Sequence, residues 1–218
     1  MPAGRGLFIT GVDTGVGKTW LGVRLARALH AKGLNVQPRK PVETGCEVTN
    51  TPDGCADAVQ YWRAIGQSIE WQIICPYRFH LPAAPPQAAV AENRSLTLAQ
   101  LIQACQTTEH AFAIIEGAGG FYSPIADDGL NADLAAALRL DILLVAADRL
   151  GAINHTLLTA EAIANRGLNL RAVILNQTKP PDPDQAELGN LKALQSRLPC
   201  PVLATNHDTP EIDWTALA

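Results

Sequence analysis

The chain has no Cys-x-x-Cys pair, no histidines at metal-ligand spacing, no basic surplus and no apolar run long enough to cross a bilayer. Each absence removes a class of function. The five cysteines, Cys46, Cys55, Cys75, Cys105 and Cys200, are odd in number and widely spaced. Neither a zinc knuckle nor a dithiol redox centre is supported, and they read as free thiols in a reducing compartment. Seventeen Lys and Arg against 21 Asp and Glu leave a net charge of −4. That argues against a polyanion-binding surface, and so against nucleic acid as a partner, but permits a local basic patch around phosphates. The opening Met-Pro-Ala-Gly-Arg-Gly lacks the apolar core of a signal peptide. Nothing approaches the ~20 apolar residues of a membrane span. No membrane partner and a cytoplasmic location are therefore expected. No internal repeat, coiled coil or linker interrupts the 218 residues, which read as one domain over 1–218.

What is present is alternation of short apolar runs with helical patterns. Leu7 to Thr10 suits a buried parallel strand, and Lys18 to about Lys32 suits a helix stopped at Gly33. A second strand is expected at Leu34 to Val36, with Pro38 limiting its pairing in a sheet interior. Thr49 to Cys55 reads as loop, Asp57 to Gly66 as helix with Ala58, Tyr61, Trp62 and Ile65 on one side, and Ile73 to Pro76 as strand. The prolines of Leu81 to Pro86 argue against regular structure there. Leu96 to Gln106 reads as helix with Thr97 as N-cap. Ala111 to Glu116 reads as strand, followed at once by Gly117-Ala118-Gly119-Gly120. Helices at Ala132 to Arg139, Ile153 to Asn165 and Gln185 to Arg197 alternate with strands at Ile142 to Ala146, Ala172 to Leu175 and Val202 to Leu203. Pro180 to Pro183 is loop. The pattern predicts an α/β domain, its mostly parallel sheet flanked by helices on both faces.

Between the first strand and first helix lies Gly11-Val12-Asp13-Thr14-Gly15-Val16-Gly17-Lys18-Thr19. A strand, a glycine-rich turn and a helix in that order form a phosphate cradle, because backbone N–H groups and the positive helix end face the anion. Lys18 then reaches the terminal phosphates, and the Thr19 hydroxyl suits Mg²⁺. Counted back from Gly17, the usual spacing wants glycine where the chain has Val12; the glycine stands one step earlier, at Gly11.

Lys18, Lys40, Glu116 and Asn176 all fall at or just after strand ends, which in a parallel sheet share one edge. With Thr19, Asp57 and Glu116 offer hard oxygens suited to Mg²⁺ beside phosphates. Asp57 equally suits a helix N-cap or first-turn acid. Glu116 ends so apolar a strand that burying it unpaired is costly. Lys40, followed by proline, is a fixed cation or half of a solvated Arg39-Lys40 pair. Asn176 suits an adenine edge or a turn closure. Asn154 suits an N-cap, and His155 a helix start.

The phosphate loop, Lys40-Pro41-Val42-Glu43-Thr44-Gly45, Glu116-Gly117-Ala118-Gly119-Gly120 and Leu150-Gly151-Ala152-Ile153-Asn154-His155 together resemble the dethiobiotin synthetase family. The likeness runs from about Leu7 to Asn176 in the family's order, and the shifted Gly11 is itself a family trait. The resemblance implies a P-loop NTPase-like fold and ATP- and Mg²⁺-dependent ring closure of 7,8-diaminononanoate with CO₂ to give dethiobiotin. The intermediates it implies are an N-carbamate and a carbamic–phosphoric anhydride. It assigns Lys18 and Lys40 catalytic roles, and Thr19, Asp57 and Glu116 to Mg²⁺. Nucleotide contacts are expected from Thr14, Gly15, Val16, Gly17, Lys18, Thr19, Trp20, Asp57, Glu116, Gly117, Ala118, Gly119, Asn176 and Gln177. Substrate contacts are expected from Lys40, Thr44, Gly151 and Asn154, the last two supplied by the second subunit of a homodimer. The chain departs from the family in Ala204-Thr205-Asn206-His207 after Leu203, in Gln177, and in Pro86. A partitioning or assembly ATPase of the related loop group is the competing reading. Those proteins carry a signature lysine where this chain has Asp13. A silent nucleotide-binding relative is argued against by Lys40, Asp57 and Glu116. A related amidotransferase synthetase would need a further glutaminase domain.

Overall fold

The computed structural model describes residues 5–47, 56–178, 189–205 and 212–217. From the N-terminal side come β1 (Gly6–Gly11), α1 (Lys18–Ala31), β2 (Val36–Arg39), β3 (Val42–Thr44), α2 (Ala56–Ala64), α3 (Trp71–Ile74), β4 (Tyr77–Phe79), α4 (Pro85–Ala91) and α5 (Leu98–Ala104). There follow β5 (Phe112–Gly120), β6 (Pro124–Ala126), β7 (Gly129–Leu130), α6 (Asn131–Leu138), β8 (Asp141–Ala147), α7 (Ala152–Asn165), β9 (Leu170–Asn176), α8 (Asn190–Gln195) and β10 (Val202–Thr205). A 3-10 turn, Trp214–Leu217, follows them.

Six strands form one sheet in the order β10-β9-β8-β1-β5-β2, with every neighbouring pair parallel. Side chains alternate across a strand, so each central strand feeds two cores. Leu7 and Ile9 of β1, Ile114 of β5 and Val145 of β8 pack with α1, α2, α3 and the 3-10 turn. Phe8, Ala113, Ile115 and Leu144 pack on the other face with residues of α4 to α8. This is why the strand sequences are continuously apolar rather than alternating. The α1 stripe Leu21, Leu25 and Leu29 is almost wholly buried.

From β1 the chain runs to the edge strand β2, returns to β5 beside β1, and then crosses to β8 on β1's other side. The C-terminal end of β1 is thus a topological switch point, where parallel sheets open a crevice for ligands. Pro38 is tolerated because β2 is an edge strand, paired with β5 alone among the described residues.

Four expectations are corrected. Ile73 to Pro76 is not a strand: Trp71 and Ile74, three apart, are both buried, which closes a single helical turn, and Pro76 delays the next strand to Tyr77. Pro85 and Pro86 open α4 rather than preventing regular structure, since the first helical positions need no N–H partner. Gly117 to Gly120 continues β5 instead of leaving it. The second strand lies later than expected, at Val36–Arg39. Thr97 and Gln100 form the capping box of α5. The loops expected at Thr49 to Cys55 and Pro180 to Pro183, and the start of the helix expected from Gln185, lie outside the described residues.

Candidate active site

The loop between β1 and α1 turns sharply onto the helix. Gly15 and Gly17 both take positive φ, 72° and 96°, a region costly for residues with a Cβ. Space adds a second constraint at Gly17, where a Cβ would lie 2.0 Å from Asn176 Nδ2. α1 has no side-chain cap and no acidic residue in its first turn. Its N-terminal N–H groups and positive dipole end are therefore left for an anion.

A cavity of about 350 Å³ opens over this loop, lined by Thr14, Gly15, Gly17, Lys18, Thr19, Lys40, Val42, Glu43, Thr44, Asp57, Glu116, Ala118 and Gly119. Its polar centre is Glu116, 1% exposed in the middle of β5. Lys40, just past β2, donates from Nζ to Glu116 Oε1 at 2.5 Å and lies 2.9 Å from Asp57 Oδ2. Thr19 Oγ1 donates to the same Glu116 oxygen at 2.8 Å. Lys18 Nζ, also buried, donates to the Asp13 carbonyl at 2.9 Å. Four elements, α1, the end of β2, α2 and β5, thus bring two ammonium groups, two carboxylates and a hydroxyl to one spot.

Burial sets the electrostatics. It holds the Lys18 ammonium down at about 8, a fall that Glu116 opposes and Lys40 reinforces. Burial also disfavours the Lys40 ammonium, but Glu116 and Asp57 outweigh it and raise Lys40 well above the ordinary lysine range. Lys40 is a permanent cation, whereas Lys18 titrates within reach of neutral pH.

The oxygens suit a small hard cation. Asp57 and Glu116 already hold one positive charge, the Lys40 ammonium, Thr19 bonds Glu116 beside them, and all three side chains offer oxygen, as Mg²⁺ requires. Among the described residues no group of three or more His, Cys, Asp and Glu gathers as a metal site. Two carboxylates and a hydroxyl leave coordination positions for phosphate oxygens and water.

Several expected residues stand elsewhere. Val16 is packed into the core, and Trp20 lies under the Arg24 guanidinium at 3.5 Å. Neither lines the cavity, nor does Gly117, Gln177, Gly151 or Asn154. The Gln177 N–H pairs with the Thr205 carbonyl. Asn176 is buried against the phosphate loop, its Nδ2 donating to the Val16 carbonyl at 2.9 Å and its Oδ1 accepting from Thr205 Oγ1 at 2.8 Å. Gly151 is the N-cap of α7. Leu150 beside it is 87% exposed, and Leu158 on the same helix 58%.

Sequence reasoning missed three supporting groups. Glu43 accepts from the Asp57 and Ala58 N–H groups at 3.0 and 3.2 Å, fixing the start of α2 and with it Asp57. Asn131 ties the glycine-rich end of β5, donating to the carbonyls of Ala118, Gly120 and Ser123 and accepting from the Ala118 N–H. Tyr61 donates to Glu116 Oε2 at 2.7 Å. Its signal was the four-residue step from Asp57, which puts both on one helical face. The ring's apolar setting concealed the hydroxyl.

Comparison with known proteins gives the family. A family profile described as "AAA domain" matches residues 5–215. The ATP-dependent dethiobiotin synthetase BioD of Anaeromyxobacter dehalogenans (strain 2CP-C) is 44% identical over 180 residues, covering 82% of this chain and 79% of that protein. Proteins of the same name from Caulobacter vibrioides (strain NA1000 / CB15N) and Methanocaldococcus jannaschii are 37% and 39% identical. The first covers 88% of both chains and the second 78% of both. At this identity and coverage, and with the phosphate loop, Lys40 and Glu116 gathered at one sheet edge, the chain belongs to the dethiobiotin synthetase family.

Proposed function

We propose that this chain closes the ureido ring of dethiobiotin from 7,8-diaminononanoate, CO₂ and ATP, releasing ADP and phosphate. The observation that carries the reading is the Lys40 ammonium, held between Glu116 and Asp57 and sharing a cavity with Lys18 and the phosphate loop. The reaction brings two anions together, a carbamate and a triphosphate, so it calls for fixed positive charge rather than a protein nucleophile.

Substrate amine and CO₂ give a carbamate with loss of a proton. The carbamate oxygen attacks the γ-phosphorus and ADP departs, leaving a carbamic–phosphoric anhydride. The second amine then attacks the carbamoyl carbon and loses a proton, and phosphate leaves as the ring closes. In this sequence Lys18 follows the β- and γ-phosphates, the N–H groups at the start of α1 cradle them, and Lys40 neutralises the carbamate and the moving phosphoryl group. The Thr44 hydroxyl, at the cavity wall, holds the substrate. Mg²⁺ bound by Thr19, Asp57 and Glu116 would neutralise charge on the phosphate oxygens.

We assign Gly151 and Asn154 to the cavity of a second copy in a homodimer. In support, they stand outside their own chain's cavity, beside the exposed Leu150 and Leu158, with the N-terminus of α7 available to a substrate carboxylate. No described helix is long and apolar enough to cross a membrane, and we place the reaction in the cytoplasm. The test is incubation with diaminononanoate, bicarbonate, Mg²⁺ and ATP, with dethiobiotin detected by mass. Lys18→Ala and Lys40→Ala should each abolish product while the dimer persists; retained turnover in either removes that residue's role. Phosphate release that ignores diaminononanoate would favour the regulatory ATPase.

A further inference from the structure

The two oxygens of Glu116 face different surroundings. Oε1 takes Thr19 and Lys40 on the cavity side, while Oε2 takes the Tyr61 hydroxyl. Tyr61 is wholly buried, so apolar packing of its ring would be served equally by phenylalanine. The fold nevertheless makes room for the oxygen. A Cβ on Gly22 of α1 would lie 1.8 Å from the Tyr61 hydroxyl and 2.8 Å from Cζ. A mid-helix glycine costs helix stability, and here it admits one hydroxyl to one carboxylate oxygen.

We propose that Tyr61 is a positioning residue that sets cation selectivity: by holding Oε2 it confines Glu116 to ligation through Oε1 alone, favouring Mg²⁺ over Ca²⁺. The proposal rests on the reading above that Glu116 is a metal ligand. Mg²⁺ is small and demands near-octahedral geometry, conditions met by carboxylates offering one oxygen each. Ca²⁺ takes more oxygens and readily accepts both from one carboxylate. With Oε2 fixed to Tyr61, Glu116 cannot turn to present both. Without that bond, the side chain gains the freedom a larger cation exploits.

Calorimetric affinities of the intact protein for ADP, in saturating Mg²⁺ and in saturating Ca²⁺, test this without turnover. In Tyr61→Phe the Mg²⁺-to-Ca²⁺ affinity ratio should fall about tenfold, the scale of one lost hydrogen bond to a charged group. Gly22→Ala, which keeps the phenol but displaces its hydroxyl, should move the ratio the same way. A ratio unchanged in Tyr61→Phe, whether both affinities drop together or neither does, overturns the proposal and leaves Tyr61 a structural partner only. Glu116→Gln separates the two levels. Loss of cation-dependent ADP binding in Glu116→Gln, with an unchanged ratio in Tyr61→Phe, overturns the selectivity role alone. Cation dependence that survives Glu116→Gln removes Glu116 from the metal site, and this proposal with it.

Discussion

Lys18 gives the sharpest pH prediction. Its ammonium sits at about 8 against an ordinary 10.5, chiefly through burial. At roughly 1.4 kcal/mol per pH unit, keeping it protonated in the empty protein costs about 3 kcal/mol. A lysine whose folded pKa is depressed binds its proton less tightly than in the unfolded chain. The penalty is therefore full below pH 8 and disappears as pH rises from about 8 to 10.5. Phosphates beside the Nζ restore the ordinary preference for the charged form. ADP binding at pH 9 should then take up close to one proton, about 0.9, because the empty site holds only about a tenth of one. If only the ammonium form binds, affinity should fall about tenfold between pH 7 and pH 9. Lys40, held charged by Glu116 and Asp57, stays protonated throughout. Calorimetry at pH 9 in two buffers of different ionisation enthalpy reads the uptake directly, with Lys18→Met as the control that should abolish it. Zero uptake in the wild type, or uptake unchanged in Lys18→Met, refutes the reasoning.

Other perturbations have expected outcomes of their own. Asn176→Ala removes the side-chain bonds to the Val16 carbonyl and Thr205 Oγ1. It should cost about 1–3 kcal/mol in chemical denaturation and weaken ADP binding; loss of stability with ADP affinity intact would show that the loop does not depend on this brace. Ile114→Ala, in a strand buried on both faces, should cost about 2–5 kcal/mol in the same measurement. A value under 1 would contradict its place in the core. Leu150→Asp with Leu158→Asp places charge just before α7 and on its exposed face. Sedimentation should then find monomers, and mixing this variant with Lys40→Ala should restore no activity; an unaffected dimer would move the interface elsewhere.

The fold class was legible because both-face burial in a parallel sheet leaves continuous apolar runs such as Leu7 to Ile9 and Ala111 to Ile115. Boundaries failed where tertiary context decided them. Trp71 and Ile74 make a helical turn because both find the same core, which four residues of sequence do not announce. Pro85 and Pro86 mark the start of α4 rather than the absence of a helix. At the site, Lys18 and Thr19 were recognisable from the glycine-rich loop they close, and Lys40, Asp57 and Glu116 from the hard-oxygen and cation pattern they make together with it, Asp57 alone being equally a first-turn helix acid. Glu43 and Tyr61 act through Asp57 and Glu116, and Asn131 through Ala118 at the glycine-rich end of β5, over separations of 14, 55 and 13 positions. Only folding brings them together. Asn176 was recognised as important at its strand end, but the partner the structure gives it is the backbone of the phosphate loop.

In the reaction proposed, Lys40 and the phosphate loop together activate a carbamate. The most direct test is single-turnover reaction with ¹³C-bicarbonate, diaminononanoate and Mg-ATP, followed by mass. The expected result is dethiobiotin carrying one ¹³C, one ADP per product, and no labelled product in Lys40→Ala even with nucleotide bound. Labelled dethiobiotin formed at the wild-type rate by Lys40→Ala would contradict it.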